Sequence, residues 1–335
     1  MFGPDETIRI GMIGSGGNAR GHMRSLLAVE NVKIAAIADP SDEAVEAALE
    51  LDDMSPDAGT FSDYEEMLSS VDLDAVVIST PHTLHYEQIM TAFDRDLHVL
   101  CEKPMVCTVE EAESVIERIE QTGLVFGIGY QRHLQAPYRY CREKIAGGEV
   151  GGCHFVSSVQ SQNWYRRQVG NDTWRAKMQW SGGGQLNDSG SHLLDVVLWI
   201  LDADPVEAFA YQENLEAEVD ILSAISVRFE NDALCNFSVV GHAVNFYESI
   251  TFFCENATLG IHGDEVWYWE DEHKQVISGA DLGRTWNKDA NFIAALRGEE
   301  EIQAPAECGL RVIQLSEAIW ASAERGRPVI VPRSG

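Results

Sequence analysis

An apolar strand-forming run, Ile8-Arg9-Ile10-Gly11-Met12-Ile13, passes without a break into Gly14-Ser15-Gly16-Gly17-Asn18-Ala19. No other stretch restricts the fold so tightly, because the pair fits G-x-G-x-x-A in the strand-to-helix setting that a dinucleotide-binding turn demands. Gly14 permits the tight turn, and Gly16 lets the backbone approach a pyrophosphate. The helix that starts here turns its unsatisfied N–H groups and positive dipole end toward those phosphates, with Ser15, Gly17 and Asn18 in the same turn. Asp39, 20 residues beyond Ala19, ends the next apolar run and is placed to accept hydrogen bonds from an adenosine ribose. A phosphate there would be repelled, and Pro40 and Ser41 bring no cation for one, so NAD is favoured over NADP.

The alternation continues. Apolar runs at 32–38, 75–79, 98–101 and 125–129 are separated by helical patterns, the βαβ signature of a doubly wound parallel sheet of the Rossmann type with five strands. Between the last two runs, Thr108 followed by Glu111 reads as a capping box and Gly123 as a helix stop. After about residue 152 the texture changes to period-two stretches at 152–160, 224–229, 233–240 and 249–254, with one apolar helix at 191–201. The expected organisation is α/β over residues 1–128 and an α+β, mainly antiparallel domain over 129–335. A closing helix, 307–325, stops at Gly326 before a strand at 328–331, and these two elements are candidates to pack back on the first domain.

Charge narrows the partners. The 335 residues hold 54 acidic and 24 basic side chains, a formal charge of −30. Phosphate-backbone binding needs a basic face, so nucleic acid is excluded, and the same argument disfavours anionic membranes. Only 6 of the 24 cations are Lys, and an acidic, lysine-poor surface is the pattern of a halophile protein working in concentrated salt, where screening removes the self-repulsion. The longest purely apolar stretch, 196–201, is too short for a bilayer, and 1–6 carry neither a positive nor an apolar leader pattern, so the expected location is the cytoplasm. Seven cysteines without a C-x-x-C pair signal no zinc site, and no metal is expected.

Two segments carry chemistry: Cys101-Glu102-Lys103-Pro104 after a strand, and Gly182-Gly183-Gly184-Gln185-Leu186-Asn187-Asp188-Ser189-Gly190-Ser191-His192-Leu193-Leu194-Asp195. Oxidising a secondary alcohol requires a base of near-neutral pKa at the hydroxyl while hydride leaves the carbon, a task that suits His192. Asp188, four residues earlier, shares its face on a helix or helix entry and can hold the substrate hydroxyl or fix the imidazole tautomer. Lys103 stands at a strand's carboxyl end, where an ammonium can stabilise developing negative charge. Singly, each has a structural alternative: a core histidine, a helix N-cap, a surface charge. Between 163 and 180, Trp164, Trp174 and Arg175 form a candidate substrate loop, since indole faces stack on sugar C–H groups and arginine forks bind hydroxyls or carboxylates; packing of the second core is the alternative.

In these segments the chain resembles the glucose-fructose oxidoreductase, inositol dehydrogenase and MocA-like family. The resemblance spans nearly the whole length: the glycine-rich start, Thr80-Pro81 with His85, Glu102-Lys103-Pro104, Gly129-Tyr130-Gln131-Arg132-His133, the run from Gly182 to Asp195, Gly309-Leu310-Arg311 and Gly326-Arg327-Pro328. It implies a Rossmann domain followed by a domain with a large open antiparallel sheet, used for homodimers or homotetramers. It further implies Lys103, Asp188 and His192 as the catalytic trio, with a Lys-Pro peptide that is often cis. Cofactor contacts are implied from Thr80, Pro81, His82, His85, Glu102, Lys103 and Gln131, and a place for Tyr130 near the substrate. His82 and Gln131 stand where relatives often carry Asn, while His22 and His98 read as structural. The expected activity is NAD-dependent hydride transfer at a secondary hydroxyl or hemiacetal carbon of a sugar, polyol or inositol-like compound. Redox-neutral NAD cycling in a glycosidase or epimerase, and NAD sensing by a non-catalytic regulator, are the alternatives.

Overall fold

The computed structural model describes residues 2–333, which divide into two compact units. The first runs to Gln131 and includes Trp286–Glu307; the second holds Arg132–Thr285 and the chain from Cys308 on.

The first unit is built on a parallel sheet of β1 (Ile8–Ile13), β2 (Val32–Ala38), β3 (Gly59–Phe61), β4 (Ala75–Ile78), β5 (His98–Cys101) and β6 (Phe126–Ile128), in the order β3-β2-β1-β4-β5-β6. The sequence pattern yields five of these strands; β3, only three residues long, is too short to show a period. Ile8, Ile10, Met12, Ile34, Ile37 and Val77 are buried in one core with Met23 and Leu26 of the first helix, which is why these strands read as continuous apolar runs. The capping box forms: Thr108 Oγ1 accepts from the Glu111 amide at 3.2 Å, Glu111 accepts from the Thr108 amide at 3.1 Å, and Gly123 ends the helix at φ +68°.

The segment that returns to this unit is 286–307, not the closing helix and strand. Asn287 caps the helix Lys288–Leu296 through a bond from the Asp289 amide at 2.7 Å, and Phe292, Ile293 and Leu296 enter the core of β1 and β2. Residues 129–131 also stay with the first unit, because the Gly129 amide bonds to the Cys101 carbonyl at 2.8 Å.

The second unit carries a nine-stranded sheet of β7 (Cys153–Asn163), β8 (Pro205–Glu213), β9 (Leu222–Phe229), β10 (Leu234–Val240), β11 (His242–Cys254), β12 (Thr258–His262), β13 (Glu265–Glu270), β14 (His273–Ser278) and β15 (Val329–Ile330), in the order β14-β13-β12-β11-β7-β10-β9-β8-β15. All pairings are antiparallel except β7 with β10. Alternation sorts the faces: Ile225, Val227 and Phe229 point inward while Ala224, Ser226 and Arg228 face water. The helix Ser191–Leu201 is apolar on nearly every side and correspondingly buried. The closing helix, Ala306–Arg325, and β15 belong mainly here: β15 pairs with β8, and Ser322 Oγ accepts from the Ala210 amide at 3.1 Å and donates to the Arg327 carbonyl at 2.8 Å. Among the described residues no helix is long and apolar enough to cross a membrane.

Candidate active site

The sheet order reverses between β1 and β4, and the glycine-rich turn sits at the carboxyl end of β1 at that switch point. Gly14 has φ +93°, and a Cβ there would lie 2.4 Å from the Ser79 carbonyl oxygen, so only glycine fits. At Gly16 and Gly17 a Cβ would meet no atom within 4 Å. The helix Gly17–Leu27 begins with no side-chain cap and no acid in its first turn, which leaves its leading N–H groups for an anion. Ser15 is buried, and its hydroxyl has no hydrogen-bond partner among the described residues. Asp39 is fixed beside the turn, accepting from the Ser15 amide at 2.7 Å and the Ser41 amide at 2.9 Å. Each oxygen keeps a lone pair for a ribose hydroxyl. An uncapped helix start, an orphaned hydroxyl and an anchored acid together fit a dinucleotide.

Several other residues implied as cofactor contacts are drawn inward. His85 is fully buried, with Nδ1 2.8 Å from the Pro104 carbonyl and Nε2 3.1 Å from that of Thr80. Burial lowers its pKa, so the ring is neutral and its one N–H serves only one of these carbonyls. His85 thus braces the Lys103-Pro104 turn and shows no surface to a cofactor. His82 is also buried, edge-on to His85 at 5.8 Å between centroids. Thr80 Oγ1 donates to Gln88 at 2.6 Å, while Pro81, Lys103 and Gln131 are half-buried. The Lys103–Pro104 peptide is cis.

Glu102 lies inside a charge cluster. It pairs with Lys288 and accepts from His22 Nε2 at 3.0 Å, His22 Nδ1 pairs with Asp289, and the Lys103 amide donates back to Glu102 at 3.2 Å. Burial opposes the charge on Glu102, but Lys288 and then His22 outweigh it and hold the carboxyl well below its ordinary range. For His22, burial and Lys288 act against protonation, yet Asp289 and Glu102 prevail and its pKa is raised. Glu102 therefore anchors the turn of Lys103 from within the unit, correcting its expected place at the cofactor surface. Lys288 and Asp289 carry no motif that marks them in the sequence. Asn287 with Asp289 is a readable helix start, but its docking partner is not locally encoded.

In the second unit, Gly182 at φ +64° ends a short helix and the chain enters a π-turn, Leu186–Gly190, that runs into Ser191–Leu201. Such i→i+5 turns are uncommon and occur often at functional sites. Asp188 in the turn is buried, and His192, on the first turn of the helix, is half-buried. Trp164 Nε1 donates to Asp188 Oδ2 at 2.8 Å, and Arg175 Nε lies 3.4 Å from the same oxygen. Trp164 is 2% exposed against Val219 and Ile221, so no ring face is left to stack on a sugar; its indole N–H orients Asp188 instead. Tyr130 is likewise fully buried, which removes it from a substrate surface. Trp174 and Arg175 remain half-exposed, with the guanidinium stacked 4.3 Å from the indole centroid.

Asp220, also missed, holds the π-turn. Its carboxylate accepts from the Gly184 amide at 3.0 Å, the Leu186 amide at 2.8 Å and Trp320 Nε1 at 3.3 Å. A Cβ on Gly184 would lie 2.0 Å from the Asp220 carbonyl, which explains that glycine. Burial raises the Asp220 pKa, opposed by these donors. A second polar cluster, His133, Asp195 and Cys308, brings donor atoms within 4.8 Å of one another, and Asp195 accepts from His133 Nε2 at 2.9 Å.

A doubly wound parallel sheet whose first turn is fitted to a dinucleotide is the nucleotide-binding architecture of nicotinamide-dependent oxidoreductases. Residues 8–130 match the GFO_IDH_MocA model, described as an oxidoreductase family with an NAD-binding Rossmann fold, and 138–265 match the GFO/IDH/MocA C-terminal domain. The chain belongs to the Gfo/Idh/MocA family of oxidoreductases. It is similar to 4-carboxy-2-hydroxymuconate-6-semialdehyde dehydrogenase of Sphingobium sp., 25% identical over 88% of this chain and 92% of that one. It is also similar to D-xylose 1-dehydrogenase [NADP(+)] of Haloarcula marismortui, 33% identical over 44% and 41% of the two chains. Among solved structures, the WlbA dehydrogenase of Bordetella pertussis, in complex with NADH and UDP-GlcNAcA, superposes with a TM-score of 0.87 at 23% identity, covering 98% of this chain and 99% of that one.

Proposed function

We propose that the protein oxidises a secondary hydroxyl or hemiacetal carbon of a sugar, polyol or inositol-like substrate with NAD. The observation that carries this reading is the pair on the π-turn and helix entry: Asp188, buried and oriented by Trp164, four residues before the half-exposed His192. Bound NAD supplies the acceptor for the hydride that leaves the carbon. His192 takes the hydroxyl proton, which suits an imidazole whose ordinary pKa is near neutrality. Asp188 orients the hydroxyl or the imidazole. Lys103 is assigned to hydrogen-bond the reacting oxygen as negative charge develops on it. Asp39 supports NAD over NADP, since a 2′-phosphate would face its carboxylate with only Pro40 and Ser41 beside it.

The outer face of the second sheet supports self-association: Phe155, Leu234 and Phe253 are exposed on adjoining strands, with Tyr211 further along the same sheet. Light scattering should give a dimer or tetramer.

Nicotinamide absorbance tests the activity, with NAD and then NADP across aldoses, polyols, inositols and sugar acids, in molar KCl. NADH formation that His192→Ala abolishes while NAD still binds supports the dehydrogenase. Bound NAD that persists through purification without net reduction would point to redox-neutral cycling, and NAD-dependent partner binding without turnover to a sensor.

A further inference from the structure

We propose that the substrate is a carboxylated sugar and that Arg175 receives its carboxylate; the inference rests on the reading of Asp188 and His192 as the reacting site. Arg175 Nε faces Asp188 Oδ2 at 3.4 Å, and its Cζ lies over the Trp174 ring, 4.3 Å from the centroid. These two contacts fix the fork. Its terminal nitrogens, Nη1 and Nη2, make no hydrogen bond or ion pair among the described residues, and 32% of the side chain is open to solvent. A guanidinium held on one edge and one face offers its remaining edge as two parallel N–H donors, the geometry of a bidentate carboxylate.

The charge around it agrees. Residues 163–180 carry Arg166, Arg167, Arg175 and Lys177 against Asp172, and counting Asp188, which faces Arg175, the local charge is 4 − 2 = +2 in a chain of −30. Lys177 is neutralised by Asp172 at 2.6 Å. Arg166 and Arg167 are exposed and form no ion pair among the described residues, although acids outnumber bases 54 to 24. Their helix, Trp164–Gln168, is tied to Asp188 through Trp164, as the Arg175 turn is through Nε. Arg166 and Arg167 thus stand on a helix anchored at the proposed reacting group, and exposed cations there attract an anion that the overall field repels. One open edge of one arginine, with Asp188 on its other flank, suits a planar monoanion better than a phosphate dianion.

The test compares glucuronate, galacturonate and gluconate with glucose, galactose and glucitol, and with glucose 6-phosphate, by kcat/KM and by calorimetric binding to the NADH-loaded protein. The wild type is expected to favour carboxylated members by at least about tenfold. Arg175→Gln should reduce that preference by about tenfold to a hundredfold, and Arg166→Gln/Arg167→Gln should raise KM for the acids more at low salt than at high. Preference for the neutral sugars or for the phosphate, or a preference untouched by Arg175→Gln, overturns the inference. Carboxylate-selective binding that Arg175→Gln abolishes, with no NADH formed from any member, would uphold the subsite and refute the dehydrogenase. Turnover of neutral sugars alone would do the reverse.

Discussion

Replacing Lys288 by Met removes one of the four ionisable groups that meet around Glu102 and keeps a side chain of similar length. Glu102, His22 and Asp289 are buried, and Lys288 is 18% exposed at its side chain. Breaking a buried pair by deleting one partner typically costs about 3–5 kcal/mol; because His22 still bonds Glu102, the lower end, about 3 kcal/mol, is expected at neutral pH. For a unit of this size that is a fall in Tm of roughly 6–12 °C. The sign with pH follows from the shifts. Glu102 is depressed, so its contribution is present above its unfolded value, 4.5, and is lost as pH falls through the folded value. His22 is raised, so its contribution is full below 6.5 and is lost as pH rises through its folded value. The gap between wild type and Lys288→Met should therefore narrow below about pH 4.5. Removing the Lys288 charge should also move the alkaline limb of His22 to higher pH. Unfolding followed by circular dichroism from pH 2 to 9 in molar KCl reads both effects, since salt screens surface charges far more than buried ones. A gap under about 0.5 kcal/mol, or one that molar salt abolishes, would refute the view that the cluster is a buried, mutually dependent unit.

Gly14→Ala should destabilise the first unit by more than about 2 kcal/mol, from φ +93° and the 2.4 Å approach to Ser79, and weaken NAD binding at least tenfold by fluorescence titration. Trp164→Phe removes a charge-assisted bond to Asp188 worth about 1.5–3 kcal/mol; kcat/KM should drop by about tenfold to a hundredfold with the NAD dissociation constant unchanged. With a formal charge of −30, Tm should climb steadily with added KCl, and full stability in dilute buffer would contradict the high-salt reading.

The elements legible beforehand were those whose period agrees with their burial. The helix Ser191–Leu201 appears with its observed bounds because its apolar run is long and bounded by glycine and aspartate. β13 and β14, at the sheet's far edge, carry Glu265, Glu270, His273, Lys274 and Gln275, and so lack the apolar alternation of a half-buried strand. At the site, the glycine turn, Asp188 and His192 were readable because their spacing is itself the chemistry. Trp164 admits both a substrate and a core reading in sequence, because an indole that stacks on sugar and one that fills a core look alike there; its burial against Val219 and Ile221 favours the core. Asp220 has no sequence signature, since a single acid before a strand has no pattern; only its three donors, from residues 34 to 100 positions away, reveal it.

The return of residues 286–307 to the first unit has a consequence for how the chain is born. When Gln131 leaves the ribosome, the parallel sheet is present in full, but Phe292, Ile293 and Leu296 are missing from its core and Glu102 has no Lys288. From Gln131 to Glu307 the ribosome adds 307 − 131 = 176 residues, roughly 9–35 s of synthesis. Over that interval the nascent unit holds an open apolar patch and an acid lacking its lysine, while the intervening domain emerges as an insertion. Shortening the chain anywhere before 307 would thus remove part of the nucleotide-binding half.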